Sequence, residues 1–506
     1  MRLRLSYLPP LMVYAAYGVS GLTGIVGTFF VKDYLDLSPR FLAALAFWAG
    51  IPWAIKMPVG HLVDLIWRWK ALLVWLGAAM IAASLLIMVG LISHTQAMRA
   101  MMGVNAWYVL ATLIAPTGYM IQDAVADAMT VEAVPRVDDK GRPYGEAARK
   151  DMHTTMQTLG RIAIIGGLML VAAANIWVFY GAEAFSRAEK ARLYADVYAA
   201  ALIIPLLSVS GVVLHRFVRE STAHGEATRP NWAVLGGSLA FVAVTLAVGL
   251  GGVPYAQELI FAGSLGIIVF LLWRLARELE PAARDALVAT ALILFVYRAM
   301  PGTGEGTSWW MIDRLGFDEA FLAKLQLVTY ALTLAGMFAF RRFMAEKSIA
   351  TIVVVLTVAG TVLALPNLGM YYGLHEWTAR VTGGLVDARV IALINTALES
   401  PLGQIAMIPM LAWIARNAPA NLKATFFAVM ASFTNLALAA SSLLTKYLNQ
   451  VFVVTRAVRD PVTGAIETAA DYSQLGWLLI SVLIIGVTVP LAAIVTVQNS
   501  RLHTEQ

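Results

Sequence analysis

Lys56 stands in an otherwise apolar stretch, Gly50-Ile51-Pro52-Trp53-Ala54-Ile55-Lys56-Met57-Pro58, between two prolines that break the backbone ladder. A charge placed at the centre of a bilayer costs about 2.5–3.5 kcal/mol on insertion scales, so a cation at this depth marks a position with a task. A second such place is Gly118-Tyr119-Met120-Ile121-Gln122-Asp123-Ala124-Val125-Ala126-Asp127-Ala128-Met129-Thr130-Val131-Glu132. Asp123 and Asp127 are four residues apart and share one helix face. Two ionised carboxylates one turn apart repel each other away from water. Either one of them holds a proton or a cation lies beside them. Both states suit proton coupling, in which a carboxylate loads and releases a proton near neutral pH. Lys56 and Arg161, in Thr158-Leu159-Gly160-Arg161-Ile162, are the cations at hand. Glu132 lies just beyond, near the inner surface. It reads either as a gating carboxylate or as part of a salt-bridge network tying neighbouring helices together.

The later part of the chain repeats the theme. Arg298 and Glu305 flank Ala299-Met300-Pro301-Gly302-Thr303-Gly304, where proline and glycine free backbone groups. They are seven apart, so they share a face if the helix continues. Trp309 and Trp310 follow, either as an interfacial aromatic belt or as stacking walls for a flat ring. Arg389, Asn395, Glu399 and Gln404 sit in one apolar window, and Glu399-Ser400-Pro401 is a further helix break. Chemistry of other kinds is excluded. The chain has no cysteine, and its seven histidines show no metal-binding spacing, so no metal and no cofactor is expected. The charged loop Pro135–Asp151 carries none of the acidic or His/Asp motifs of membrane enzymes, so an enzyme is not expected.

These residues need apolar scaffolding around them, and the composition supplies it. Of 506 residues 59% are hydrophobic and 13% charged, with mean hydropathy +0.73. A soluble chain carries about 25% charged residues, so most of this surface does not face water. A net charge of +6 in such a chain reports orientation before it reports nucleic acid.

A spanning helix needs roughly 20 mostly apolar residues. Windows of that kind fall near 10–31, 40–64, 71–92, 103–134, 155–180, 195–217, 232–250, 254–274, 284–300, 320–340, 349–372, 386–413, 423–448 and 474–497, about fourteen in all. The first reads as an uncleaved span. With the N-terminus inside, the inner loops hold the larger share of Lys and Arg, which places both termini in the cytoplasm of a cell (inner) membrane protein. Gly18, Gly21, Gly24 and Gly27 form a small-residue stripe for close helix packing. Residues 1–220 form an N-terminal six-helix bundle, 221–282 a linker with two inserted helices that look lipid-facing, and 283–506 a C-terminal six-helix bundle.

Six plus two plus six is a variation on the major facilitator plan. Gly60, Leu62, Asp64, Arg68 and Lys70 also resemble that superfamily's loop signature. The resemblance implies that Asp64 and Arg68 latch the inward gate; an ordinary interfacial carboxylate is the alternative for Asp64. Four ordered blocks resemble the folate–biopterin transporter family, a branch of that superfamily: PWAIKMPVGHLVD, GYMIQDAVADAMTVEA, RAMPGTGEGTSWWMIDRLGFDEAFLAKLQLVTY and IPMLAWIARNAPANLKATFFAVMASFTNLALAASSLLTKYL. The segment Phe30-Val31-Lys32-Asp33-Tyr34-Leu35 fits as well.

The resemblance implies an all-α polytopic protein working by alternating access on a cation gradient, with protons as the coupling ion. A folate or pterin suits the residues. Its ring edge offers donors to Asp or Glu, its plane stacks on aromatic rings, and its carboxylates need Arg or Lys. The substrate and coupling set is then Lys56, Asp123, Asp127, Arg161, Arg298, Glu305 and Glu399, with Asp64, Arg68 and Glu132 gating. The expected partners are this small-molecule anion, H+ and the lipid bilayer, with no nucleic acid. Muropeptide permeases share the two extra spans and a similar acidic pattern, so a muropeptide is the alternative cargo. A transporter-like scaffold that delivers a pigment or assembles a complex is the third reading.

Overall fold

The computed structural model describes residues 4–35, 37–54, 56, 59, 62–63, 66, 69–135, 142, 144–218, 243–245, 247–249, 251, 253–277, 279–402, 423–459 and 466–500. In chain order the helices are α1 (Leu8–Val19), α2 (Gly24–Tyr34), α3 (Pro39–Ala54), α4 (Lys70–Ser93), α5 (Thr95–Met101), α6 (Val104–Ala133), α7 (Glu146–Val178), α8 (Arg187–Ala200), α9 (Ile203–Val218) and α10 (Ala256–Ala276). There follow α11 (Pro281–Arg298), α12 (Glu305–Leu315), α13 (Glu319–Ala339), α14 (Arg341–Glu346), α15 (Ile349–Tyr371), α16 (Leu374–Val381), α17 (Ala388–Glu399), α18 (Lys423–Val451) and α19 (Leu475–Gln498). Every expected window carries helical residues; of 232–250 only 243–245 and 247–249 are described, and these are helical.

Nine helical segments among the described residues are long and apolar enough to cross a membrane. Their apolar surface stays largely uncovered: 17% of the most apolar window of Glu319–Ala339 is buried, and 22% of that in Leu475–Gln498. Lipid is the solvent that such a surface requires. The chain is therefore a predominantly helical, polytopic integral membrane protein.

Local sequence sets the helix ends. Pro9 and Pro10 open α1, where a missing N–H costs nothing. Ser186 and Glu189 close a reciprocal capping box on α8. The side chains of Asp318, Ser348 and Asp387 accept from the backbone N–H groups of Phe321, Thr351 and Val390, and so begin α13, α15 and α17.

The chain forms two compact units. The first comprises Met1–Phe30 and Ile55–Ala247. Within it α1 packs on α7 and α9, and α4 on α6. Glycine makes the first contact possible: a Cβ on Gly18 would lie 2.2 Å from the Ile164 carbonyl oxygen on α7. The expected four-glycine stripe is thus narrower than its spacing suggests. Gly21 also meets α7, at Leu168, but Gly24 has nothing within 4 Å and Gly27 only the Tyr198 hydroxyl at 3.5 Å. The physical reason is the 3.6-residue turn of an α-helix, in which a spacing of three drifts by about 60° at each step.

The second unit comprises Val31–Ala54 and Val248–Gln506. Here α3 lies along α18, α10 packs on α18, and α19 packs on α11 and α15. Between α18 and α19 the short strands Val458–Arg459 and Ile466–Thr468 pair antiparallel. The turn-forming residues between them, Asp460-Pro461 and Thr463-Gly464, lie outside the described residues.

Candidate functional site

In the first unit the two carboxylates of α6 meet one cation. Asp123 and Asp127 both accept from Lys56 Nζ, through Oδ2 in each case, Asp127 at 2.6 Å. Tyr14, on α1, donates its hydroxyl to the other Asp127 oxygen at 2.5 Å. Asp127 therefore has a donor on each oxygen. Asp123 Oδ1 takes no hydrogen bond among the described residues. The side chains of Lys56, Asp123 and Asp127 keep 24%, 18% and 48% of their surface accessible, enough for contact with water. One positive charge faces two negative ones. Tyr17 and Tyr119 stand nearby, edge to face, with ring centroids 5.7 Å apart. Arg161, on α7, is exposed and makes no ion pair among the described residues.

Glu132, at the last turn of α6, lies apart from this cluster. Its carboxylate meets Lys70 Nζ at 2.7 Å and His215 Nε2 at 3.0 Å, with side-chain exposures of 8%, 6% and 17%. These ion pairs tie α4, α6 and α9 together. Lys70 reads in the sequence as a loop cation, yet it is folded inward at the start of α4. His215 carries no sequence signal beyond its place at the end of an apolar window. Asp64, Arg68 and Gln404 lie outside the described residues.

In the second unit the expected set is only partly assembled. The helix does not continue from Arg298 to Glu305. It stops at Arg298, and α12 starts afresh at Glu305 after Gly304, whose φ of +73° suits glycine. The two residues thus belong to different helices and make no ion pair with each other among the described residues. Arg298 buries its Nε without a hydrogen-bond partner there. Glu399 ends α17 one turn beyond the buried Asn395, whose Oδ1 is also unpartnered. Arg389 is drawn away instead. It donates to Asp318 at 2.7 Å and to the Gly316 carbonyl at 2.9 Å, and lies over the Phe321 ring.

The tryptophans are not a surface belt: Trp309 is fully buried and Trp310 is 5% exposed, with Tyr371 against it at 5.7 Å. Neither leaves an open face for a ligand ring.

Sequence reasoning also passed over a network built on Phe30-Val31-Lys32-Asp33. Lys32 is 7% exposed and pairs with Asp313 of α12 at 2.5 Å, while its carbonyl accepts from Arg456 at 3.2 Å. Tyr472 donates to the other Asp313 oxygen at 2.5 Å. Burial and that hydrogen bond push the Tyr472 hydroxyl above its ordinary range. The signal was a Lys-Asp pair directly after an apolar run, which reads as an ordinary loop charge.

The model of the BT1 family matches residues 187–505, more than half of the chain. The chain belongs to the BT1 family. A similar protein is the folate-biopterin transporter of Synechocystis sp., 26% identical to this BT1 chain over 446 residues, which cover 87% of the chain and 74% of that relative. Among solved structures, a POT family transporter in complex with a thioalcohol-conjugated peptide superimposes with a TM-score of 0.64 at 12% identity, covering 98% of this chain and 95% of the other. The nucleoside transporter NupG matches with a TM-score of 0.57 at 10% identity, covering 97% and 99%. At these identities the likeness shows the fold, which is that of major facilitator transporters. The BT1 chain is thus a membrane transporter and not an enzyme.

Proposed function

We propose that this protein is a secondary active transporter that moves a folate- or pterin-like organic anion by alternating access, coupled to protons. It would sit in the cell membrane with both termini in the cytoplasm, its two six-span halves formed by 1–220 and 283–506. The observation that carries the reading is Lys56 held between Asp123 and Asp127, with one Asp123 oxygen left without a donor among the described residues. With one cation against two carboxylates, the cluster has a deficit of one positive charge. A proton on Asp123 removes the deficit and loosens that carboxylate's hold on Lys56. The ammonium is then free to meet the carboxylate of an incoming solute. Proton loading thereby favours anion loading, which is the linkage a symporter needs. A donor on a pterin edge fits the open Asp123 oxygen, Tyr17 and Tyr119 offer rings, and Arg161 offers a further cation. The name of the Synechocystis relative supports the same class of cargo.

The test is thermal unfolding of the purified protein in the presence of folates, pterins and muropeptides. A ligand at about 100 times its Kd stabilises the folded state by about 2.7 kcal/mol. Pterin-bearing anions are expected to raise the unfolding midpoint, and Lys56→Met to remove the shift. A shift with muropeptides and none with pterins would replace the cargo proposed here.

A further inference from the structure

Helix α10 falls in the stretch that the sequence presents as lipid-facing. One face of it is: Ile267, Val269, Phe270 and Trp273 are exposed. Its first turn is different. Gln257 is 8% exposed; its Nε2 donates to the Ala44 carbonyl on α3 at 2.8 Å, and its Oε1 accepts from Lys446 Nζ on α18 at 3.0 Å. The neighbouring Glu258 accepts from Lys446 at 2.6 Å and from the Tyr447 hydroxyl. One turn further, Phe261 packs against Ala299, Ala437 and Ala440. A single turn of the inserted helix therefore makes polar ties to two other helices, while further along one face is buried, at Ile260, Ser264 and Ile268, and the other is exposed.

Packing alone would have served for a passive filler. The Lys446 side chain is 12% exposed, and a buried ion pair often adds no net stability over an apolar contact of the same size. What it adds is a defined geometry that is either made or broken. The α3–α18 seam has a second polar tie, Asn435 Nδ2 to the Trp53 carbonyl at 3.2 Å, so it is pinned at two levels. We propose that the first turn of α10 is a clasp: Gln257 and Glu258 hold α3 against α18, and their release accompanies separation of these helices during transport. This rests on the alternating-access reading above. Glu258 acts through Lys446 and is a positioning residue, not a ligand for the solute.

The chain has no cysteine, so two introduced cysteines would be its sole labelling sites. Phe41→Cys on α3 and Val451→Cys at the end of α18 are both exposed positions. Spin labels there report the separation of the two helices in lipid, by pulsed dipolar spectroscopy at two pH values, with and without a folate. Gln257→Leu cuts the bond to α3 without adding a charge, and Glu258→Gln weakens the hold on Lys446. Each is expected to raise the ratio of long to short distances about fivefold, the effect of losing one hydrogen bond, at an unchanged melting midpoint. Gln257→Leu keeps the test available if Glu258→Gln does not fold. Distance distributions in both variants that match the wild type overturn the clasp. The carrier reading fails separately, if the wild-type distribution moves with neither pH nor ligand. Variants that still lengthen the distance in that case would show that the two residues hold the helices together and would overturn their release during transport.

Discussion

Replacing Lys56 by methionine tests the physics of the cluster directly. Lys56 Nζ contacts one oxygen of each carboxylate, Asp127 at 2.6 Å. Those two oxygens therefore lie within about 5 Å of each other, and unit charges at that spacing repel by about 3 kcal/mol at an effective dielectric of about 20. The Asp127 side chain is 48% exposed, and screening by water cuts the figure to about 1–2 kcal/mol. Lys56→Met should lower the unfolding midpoint of the detergent-solubilised protein accordingly. Adding Asp123→Asn should recover most of the loss, because one charge no longer faces another. Acidification should do the same for the single variant, since a proton on either carboxylate ends the repulsion, and the deficit should return as pH rises. Equal destabilisation of the single and double variants at all pH values would refute this reasoning. It would mean that Lys56 matters through its packing and not through its charge.

Two further outcomes follow from the packing and from the inner network. Gly18→Ala places a Cβ against the Ile164 carbonyl, a backbone atom that cannot step aside, so α1 and α7 must part. A loss of about 1–3 kcal/mol is expected, whereas Gly24→Ala, with nothing within 4 Å, should be near neutral in the same unfolding assay. Glu132→Gln breaks the ion pair with Lys70, which is 5% exposed. The expected cost is about 3–5 kcal/mol, against about 1 kcal/mol for His215→Ala, measured by chemical unfolding.

The scaffold was legible because lipid imposes a simple code. Long apolar runs had to become helices, and the windows drawn from hydropathy coincide with them wherever the residues are described. The Lys56 cluster was legible for a related reason. Charges are rare inside the apolar windows, and a four-residue spacing puts Asp123 and Asp127 on one helix face. Tyr14 was not legible. It carries no charge, lies 113 residues away from its partner, and passes α7 at Gly160, where a side chain would meet its ring. Long-range pairs built from loop-like charges were equally hidden. Lys32 with Asp313, and Lys446 with Glu258, look like boundary residues until the fold buries them. The two tryptophans failed in the opposite direction. Aromatic residues at a span end suggest a membrane interface, but the fresh start of α12 at Glu305 carries Trp309 and Trp310 into the interior.

The central claim is coupling of a proton to an anion through Asp123 and Asp127. The most direct measurement is uptake of a labelled folate or pterin into proteoliposomes under an imposed pH gradient. The account predicts accumulation that collapses when the gradient is dissipated, and that is lost in Asp123→Asn although the variant still binds the solute. Gradient-driven accumulation that persists in both Asp123→Asn and Asp127→Asn would contradict it.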